Sequence, residues 1–215
     1  MDISIERIVN GPMKQNCYIL SNSNKEAVII DPGSEDKRIQ DFIQSNELSV
    51  LGILATHAHL DHIGGVQKLV EFYNVPFYLH SMDSGILRRA DLYKFVFKIK
   101  GNFKVPKKFQ PLDDKIKTVL KKGAFNIQLF HTPGHTKGSV SFLIQDHMFS
   151  GDLLLKDKIG RTDLPGGDNI AIKYSLRKLT QLQQSIHIHP GHYDVTTIVR
   201  ELKQNIELRR IINEG

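Results

Sequence analysis

From Ala55 to Gly65 the chain reads Ala55-Thr56-His57-Ala58-His59-Leu60-Asp61-His62-Ile63-Gly64-Gly65, and this crowding of ligand atoms constrains the fold more than any other segment. It begins where a continuously apolar run, Val50 to Ala55, ends, and it stops where a helical pattern of apolar residues begins. A strand therefore feeds a loop that feeds a helix, and loops at the ends of buried strands are where α/β proteins place their chemistry. In extended chain, residues two apart point the same way, so His57 and His59 can converge on one cation. The turn beyond them swings Asp61 and His62 toward a second position, and Gly64 and Gly65 permit close backbone approach behind it. Three imidazoles and a carboxylate this close repel one another if the imidazoles are protonated and gain little if they are neutral. A metal removes the conflict, because it binds neutral imidazole and anionic carboxylate together.

Three later points complete such a site. His135 lies in Thr132-Pro133-Gly134-His135-Thr136, after an expected strand from Phe125 to Phe130. Asp152 follows Ser150-Gly151 and a short apolar stretch, and His192 closes His189-Pro190-Gly191-His192 after the strand Ile186 to Ile188. Each is a His or Asp beside Gly at a strand's end, and together they supply the donors that two cations need.

The rest of the pattern frames these turns. Ile3 to Val9, Cys17 to Ser21 and Ala27 to Ile30 read as hairpin-linked strands, so a sheet begins antiparallel. Beyond them, helices are expected from an N-cap at Ser34 to Ser45, from Ile63 to Tyr73, from Ser81 to Leu92, from Asn169 to Gln184 and from Val195 to Ile212. Strands are expected at Pro76 to Leu79 and Ser139 to Ile144. Hairpins mixed with strand–helix–strand units predict α and β layers packed on mixed sheets.

The chain has 215 residues and no Pro/Gly/Ser-rich or low-complexity tract, so residues 1–215 are expected to form one domain with a substantial core. An apolar fraction of 40% with 24% charged residues is that of a globular protein. The formal charge is +6, and many cations lie in the Phe- and Lys-rich stretch Lys94 to Lys122. A solvated helix face and loop explain that stretch, so no nucleic-acid partner is expected, while the field suits a small anionic molecule. Cys17 is the one cysteine; it fits a buried strand position and a reducing compartment. Met1 to Arg7 carries acids with no apolar core behind a basic region, and no apolar run approaches the ~20 residues a bilayer requires. Neither signal peptide nor membrane partner is expected, and the cytoplasm is the expected location. Nothing in the sequence speaks to oligomeric state.

Taken in order, His57-Ala58-His59-Leu60-Asp61-His62, His135, Asp152 and His192 resemble the full motif set of the metallo-β-lactamase superfamily. Asn16-Cys17-Tyr18 and Asp31-Pro32-Gly33 resemble its members too. The resemblance implies an α/β fold, a four-layer αββα sandwich of two mixed sheets flanked by helices, with the site at one edge. It implies two divalent cations, zinc first, with iron or manganese also suited to the ligands. His57, His59 and His135 would hold one; Asp61, His62 and His192 would hold the other; Asp152 would bridge both. Gly160-Arg161-Thr162-Asp163-Leu164-Pro165-Gly166-Gly167-Asp168 is similar to a signature of small glyoxalase II-like hydrolases and is also a tight Gly/Pro turn. In that resemblance Arg161 and Asp163 brace the site.

The implied reaction is hydrolysis of a thioester, S-lactoylglutathione or a related hydroxyacyl thioester. Two cations lower the pKa of a bridging water from ~15.7 toward ~7, and Asp61 would orient that nucleophile. Full-length glyoxalase II carries a C-terminal helical glutathione-binding domain, whereas here only residues 193–215 follow His192, enough for one helix. Tyr193 stands where short relatives commonly have Gly and would line the substrate pocket. Rival expectations are a mononuclear-iron persulfide dioxygenase, a lactonase, a phosphodiesterase and a metal-stabilised interaction module; His59 argues against the diiron oxygen reductases. His80, His131, His147, His187 and His189 match no ligand position, and structural roles are expected for them.

Overall fold

Apolar residues that alternate between two buried faces decide this architecture. The computed structural model describes residues 2–96, 103–113, 118–119 and 125–214. The first sheet is built, in spatial order, from β1 (Ile3–Asn10), β2 (Gln15–Asn22), β3 (Glu26–Ile30), β4 (Ser49–Leu54), β5 (Phe77–His80) and β6 (Gln110–Leu112). β1, β2 and β3 pair antiparallel, and β3 to β6 pair parallel. Parallel neighbours require crossovers. Here they are α1 (Lys37–Ser45), then α2 (Leu60–Ile63) with α3 (Val66–Tyr73), then α4 (Ser84–Arg88) with α5 (Ala90–Val96).

The second sheet uses β7 (Thr118–Val119), β8 (Ile127–His131), β9 (Val140–Ile144) and β10 (His147–Gly151). A small hairpin of β11 (Leu154–Leu155) and β12 (Lys158–Ile159) and the helix α6 (Asn169–Thr180) follow. β13 (His187–Pro190) and β14 (Thr196–Thr197) then complete the sheet in the order β14-β13-β10-β9-β8-β7, before α7 (Ile198–Gln204) and α8 (Ile206–Asn213). β10 and β13 are parallel; the other pairs are antiparallel.

Successive strand residues face opposite sides. In β2 and β3, Tyr18, Leu20, Val28 and Ile30 meet Phe142, Ile144 and Phe149 of the second sheet. Their neighbours Cys17, Ile19, Ala27 and Ile29 pack outward on Ile39 and Ile43 of α1 and Val66 and Leu69 of α3. Met148 and Ile188 face outward from the second sheet onto Ile172, Leu176 and Leu179 of α6 and Leu208 and Ile211 of α8. Strands buried on both faces read as continuous apolar runs. The result is the expected sandwich of two mixed sheets between helices.

Several expected boundaries move, each for a local reason. Asp36, not Ser34, caps α1, its carboxylate accepting from the N–H of Arg38 at 3.0 Å. The helix expected from Ile63 to Tyr73 is α3, beginning only at Val66, because Ile63 closes the short α2 and the Gly65 N–H turns away to donate to Pro32 O at 2.8 Å. The segment Ser81 to Leu92 divides into a 3₁₀ turn at Ser81–Asp83, α4 and α5. α6 ends at Thr180, short of Gln184. The helix expected from Val195 to Ile212 is β14, α7 and α8, interrupted where Asn205 turns extended and caps α8 through Leu208 N–H at 3.0 Å. Part of Lys94 to Lys122 lies outside the described residues. Among the described residues no helix is long and apolar enough to cross a membrane.

Phe142 is fully buried between the sheets. Phe142→Ala should cost about 3–5 kcal/mol, read as a lowered denaturation midpoint at unchanged slope.

Candidate metal centre

Four strands end on the same rim. His57 follows β4, His135 follows β8, Asp152 follows β10 and His192 follows β13. His59 sits at the N-cap of α2, and Asp61 and His62 lie in its single turn. All seven residues expected from the sequence are thereby brought together. His59 Nδ1 and His135 Nε2 are 2.8 Å apart, and the His57 ring stands edge-on to both, with centroids 4.8 and 4.7 Å away. His192 Nε2 lies 3.2 Å from Asp61 Oδ2, and His62 Nε2 lies 3.7 Å from the same oxygen. Asp152 spans the two groups, one oxygen 3.6 Å from His135 Nε2 and the other 3.6 Å from His62 Nε2.

These residues fit a divalent metal. His57, His59 and His135 offer donor atoms within 4.8 Å of one another, as do His57, His62 and Asp152, and Asp61, His62 and His192. His57 Nε2, His62 Nε2 and Asp152 Oδ1 are buried without a hydrogen-bond partner in the protein. Buried polar groups are normally paired, so unpaired donors on converging side chains mark a place prepared for a cation. Imidazole and carboxylate donors suit zinc, iron and manganese alike.

The surroundings set the tautomers. His62 Nδ1–H donates to Asp31 Oδ2 at 2.9 Å and His135 Nδ1–H to the Arg161 carbonyl at 2.7 Å. His57 Nδ1–H donates to Thr56 Oγ1 at 3.0 Å, and that hydroxyl donates to Asp31 Oδ2 at 2.6 Å. The Nε2 lone pairs of His57, His62 and His135 are thereby turned inward, the usual arrangement behind metal-binding histidines. Gly191 leaves room for the cluster, since a Cβ there would stand 2.3 Å from Asp152 Oδ1.

Charges follow the geometry. Burial, reinforced by the neighbouring His62 and His135, holds His57 well below the usual histidine range. Burial and His135 push His59 down to about 3. His62 goes the other way: burial opposes its charge, but Asp61, Asp31 and Asp152 raise it to about 10. His192 is also raised against burial, chiefly by its bond to Asp61. Burial works against an ionised Asp61 too, yet His62 and His192 hold that carboxyl well below the ordinary range.

Two aspartates beyond the expected set brace the loops. Asp31, in the left-handed conformation at φ 51°, accepts from Thr56 N–H at 2.7 Å in addition to Thr56 Oγ1 and His62. The Asp31-Pro32-Gly33 turn was a visible signal, but nothing in it assigns this role. Asp83 is fully buried and accepts from Ala58 N–H at 2.9 Å, Thr136 Oγ1 at 2.8 Å and Gly138 N–H at 2.7 Å. It ties the His57–His59 loop to the turn that follows His135. No sequence signal distinguishes it from any helical aspartate.

Arg161 and Asp163 require a correction. The Arg161 carbonyl orients His135, but its guanidinium pairs with Asp163 at 2.6 Å on exposed surface, so neither side chain braces the ligands. What the Gly160–Asp168 segment braces instead is the backbone. A Cβ at Gly160 would stand 1.7 Å from Asp152 O, and Asp168 caps α6 through Ile170 and Ala171 while its N–H donates to Gly134 O. Tyr193 lines the cleft over the site. That cleft measures about 520 Å³, and Met13, Leu60, Tyr93, Leu155, Ile159 and Leu164 give it apolar walls.

The other histidines stay apart from the cluster. His80 stacks on His131 at 4.5 Å, and His147 Nδ1 meets His189 Nε2 at 2.9 Å beside His187. Cys17 is buried among apolar residues, which raises its thiol well above the usual range and makes it a poor nucleophile.

Residues 10–192 match the family described as "Metallo-beta-lactamase superfamily". "Hydroxyacylglutathione hydrolase GloC" of Haemophilus influenzae is 34% identical over 94% of this chain and 97% of its own. The fold superposes on that of the BLEG-1 B3 metallo-beta-lactamase with TM-score 0.85 and 35% identity, covering 95% of this chain and 99% of the other. TTHA1623, solved in a di-iron-bound form, also gives 0.85 at 35% identity over 94% and 99%.

Two outcomes follow for the metal. Asp31→Asn should weaken metal binding about 10- to 100-fold, read by competition with a chromophoric chelator, since the His62 ring loses its anionic partner. The neutral His57 and His59 have no proton to lose at pH 7, whereas a cation beside Asp61 must displace protons from His62 and His192. Equilibrium dialysis should therefore find about one metal per chain near about pH 5.5 and about two near about pH 8. Equal occupancy at both would count against this ordering.

Proposed function

This chain belongs to the metallo-β-lactamase superfamily of metallo-hydrolases, and from that premise we propose that it hydrolyses small hydroxyacyl thioesters of the S-lactoylglutathione kind. The reading is supported most by the Gly160–Asp168 segment, which lies against Asp152 and His135 and carries the pattern of small glyoxalase II-like hydrolases. The 34% identity to a hydroxyacylglutathione hydrolase over 94% of the chain supports it as well. A reducing cytoplasm suits a protein whose one cysteine is buried and unpaired.

His57, His59 and His135 would hold one cation, Asp61, His62 and His192 a second, and Asp152 would reach both. When bound, such cations supply Lewis acidity that makes water nucleophilic at neutral pH and polarises a carbonyl. The chain's own residues arrange the rest. Asp61 keeps its carboxylate ionised beside His62 and His192, so it can accept a hydrogen bond from the attacking water and point its oxygen at the carbonyl carbon. The water oxygen bonds to that carbon as its proton passes by way of the Asp61 carboxylate to solvent. The carbonyl re-forms as the C–S bond breaks, the sulfur leaves with the bonding pair, and the new carboxylic acid loses its proton to solvent. A thiol of pKa ~8.5 departs readily as thiolate, so no side chain need protonate it. This agrees with a cleft whose walls are largely apolar.

A substrate panel on metal-loaded protein tests the assignment. S-lactoylglutathione and other hydroxyacyl thioesters should be hydrolysed faster than lactone, β-lactam and phosphodiester controls. Glutathione persulfide should draw no oxygen uptake. Turnover of any control with every thioester inert would reject the thioesterase reading.

A further inference from the structure

Among the described side chains lining the cleft, apart from the metal cluster, two are cationic: Arg161 and Lys158. Arg161 is already neutralised by Asp163 at 2.6 Å. Outside the cleft, Lys156 and Arg7 share Asp194, at 3.2 and 3.3 Å. Lys158 is different. Its ammonium donates to Tyr193 Oη at 3.2 Å and sits 4.9 Å from the centre of that ring, while no described carboxylate pairs with it. A cation held against an aromatic face keeps its charge and most of its donors for a further acceptor.

Both partners are fixed from behind. The Lys158 carbonyl accepts from Asn205 Nδ2 at 3.0 Å, and the N–H groups of Asp157 and Ile159 donate to Glu201 and Glu207 at 2.8 and 3.2 Å. The hairpin of β11 and β12 is thus tied to the C-terminal helices on either side of Lys158. Tyr193 has φ 68°, a left-handed conformation seldom adopted by a bulky residue, and Asn16 Nδ2 and Arg7 hold its carbonyl at 2.7 and 3.0 Å. Strain of this kind at a cleft is commonly retained for what the side chain does there. It sets the ring one residue from His192, in the cleft wall and against the lysine.

We propose that Lys158, steadied by the Tyr193 ring, is a specificity-determining anion subsite that selects thioesters carrying a carboxylate on an otherwise apolar body. The proposal rests on the thioesterase reading for the reaction, and on the cleft alone for the binding of the anion. One uncompensated ammonium among apolar walls matches one carboxylate. The other cation of the described lining, Arg161, is already paired with Asp163, so Lys158 offers the wall's one charge for a single carboxylate.

The test compares lactoyl thioesters of 3-mercaptopropionate, which is anionic, and N-acetylcysteamine, which is neutral, on metal-loaded wild type, Lys158→Gln and Lys173→Gln. Lys173, on α6, pairs with Glu214, and its replacement removes the same charge away from the cleft. Wild type should favour the anionic ester about tenfold in kcat/KM, the preference shrinking with added salt as screening requires. In Lys158→Gln the ratio should fall to about one through KM, and in Lys173→Gln it should not change. A second measurement does not depend on turnover: calorimetric binding of an S-alkyl-3-mercaptopropionate, a thioether that cannot be hydrolysed, should weaken about tenfold in Lys158→Gln. If no thioester is turned over, the thioesterase reading fails and this binding decides the subsite by itself. Binding or preference that survives Lys158→Gln overturns the proposal.

Discussion

The Nε2 lone pairs of His57 and His62 and one oxygen of Asp152 are aimed at ground where the protein offers them no hydrogen-bond donor. Each buried polar group left so costs about 1–3 kcal/mol, and a fold stabilised by only ~5–15 kcal/mol keeps few of them without return. Divalent cations held among them would remove that cost, because a metal satisfies imidazole and carboxylate donors together. The rest of the molecule can be understood as the frame that holds these donors in place. Four strands from two sheets end on one rim, and the sheets are locked to each other by a continuous layer that includes Tyr18, Phe142 and Phe149.

That frame works through local constraints that have little to do with burial of apolar area. Asp31 holds Thr56 and His62 with one carboxylate and adopts a left-handed backbone to do so. Asp83 ties the loop of His57 and His59 to the turn beyond His135. Burial pushes the Asp83 carboxyl up, and the three donors around it pull the other way. The same logic separates the two halves of the centre electrostatically. Around His57 and His59 the dominant influence is desolvation, which favours neutral imidazole. Around His62 three carboxylates outweigh desolvation and favour a positive charge, whether a proton or a metal supplies it.

The centre was legible in sequence because its ligands are marked twice, once by residue type and once by the glycines and strand ends beside them. His135, Asp152 and His192 each follow such a turn, so type and position agreed. The strand core was legible for a similar reason: Ala27 to Ile30 is apolar on both faces and stays so in the fold. The misses are of another kind. Arg161 acts through a carbonyl that every residue possesses, so its side chain misled. Asp83 earns its role from three donors distant in sequence, and a lone aspartate in a helical pattern shows none of them. The breaks at Arg89 and Asn205 carry neither Gly nor Pro; Asn205 leaves the helix because its side chain finds the Lys158 carbonyl and Glu201. Tertiary contacts decided those points, and local propensity contained no trace of them.

This last contact joins the C-terminal helices to the cleft. Glu201 is fully buried and gathers Thr196, Asn205, Arg200 and the Asp157 N–H. Its neighbours then fix the hairpin that carries Lys158 and Ile159 to the rim. The helices after β14 make no ligand of the centre, yet they position one wall of the space above it. The metal-binding donors and the walls of the cleft are therefore held by different parts of the chain. Strand ends and the turn of α2 present the donors, while the hairpin, Tyr193 and Met13 shape what can approach them. A change in the wall can redirect which molecule enters without disturbing a single donor atom.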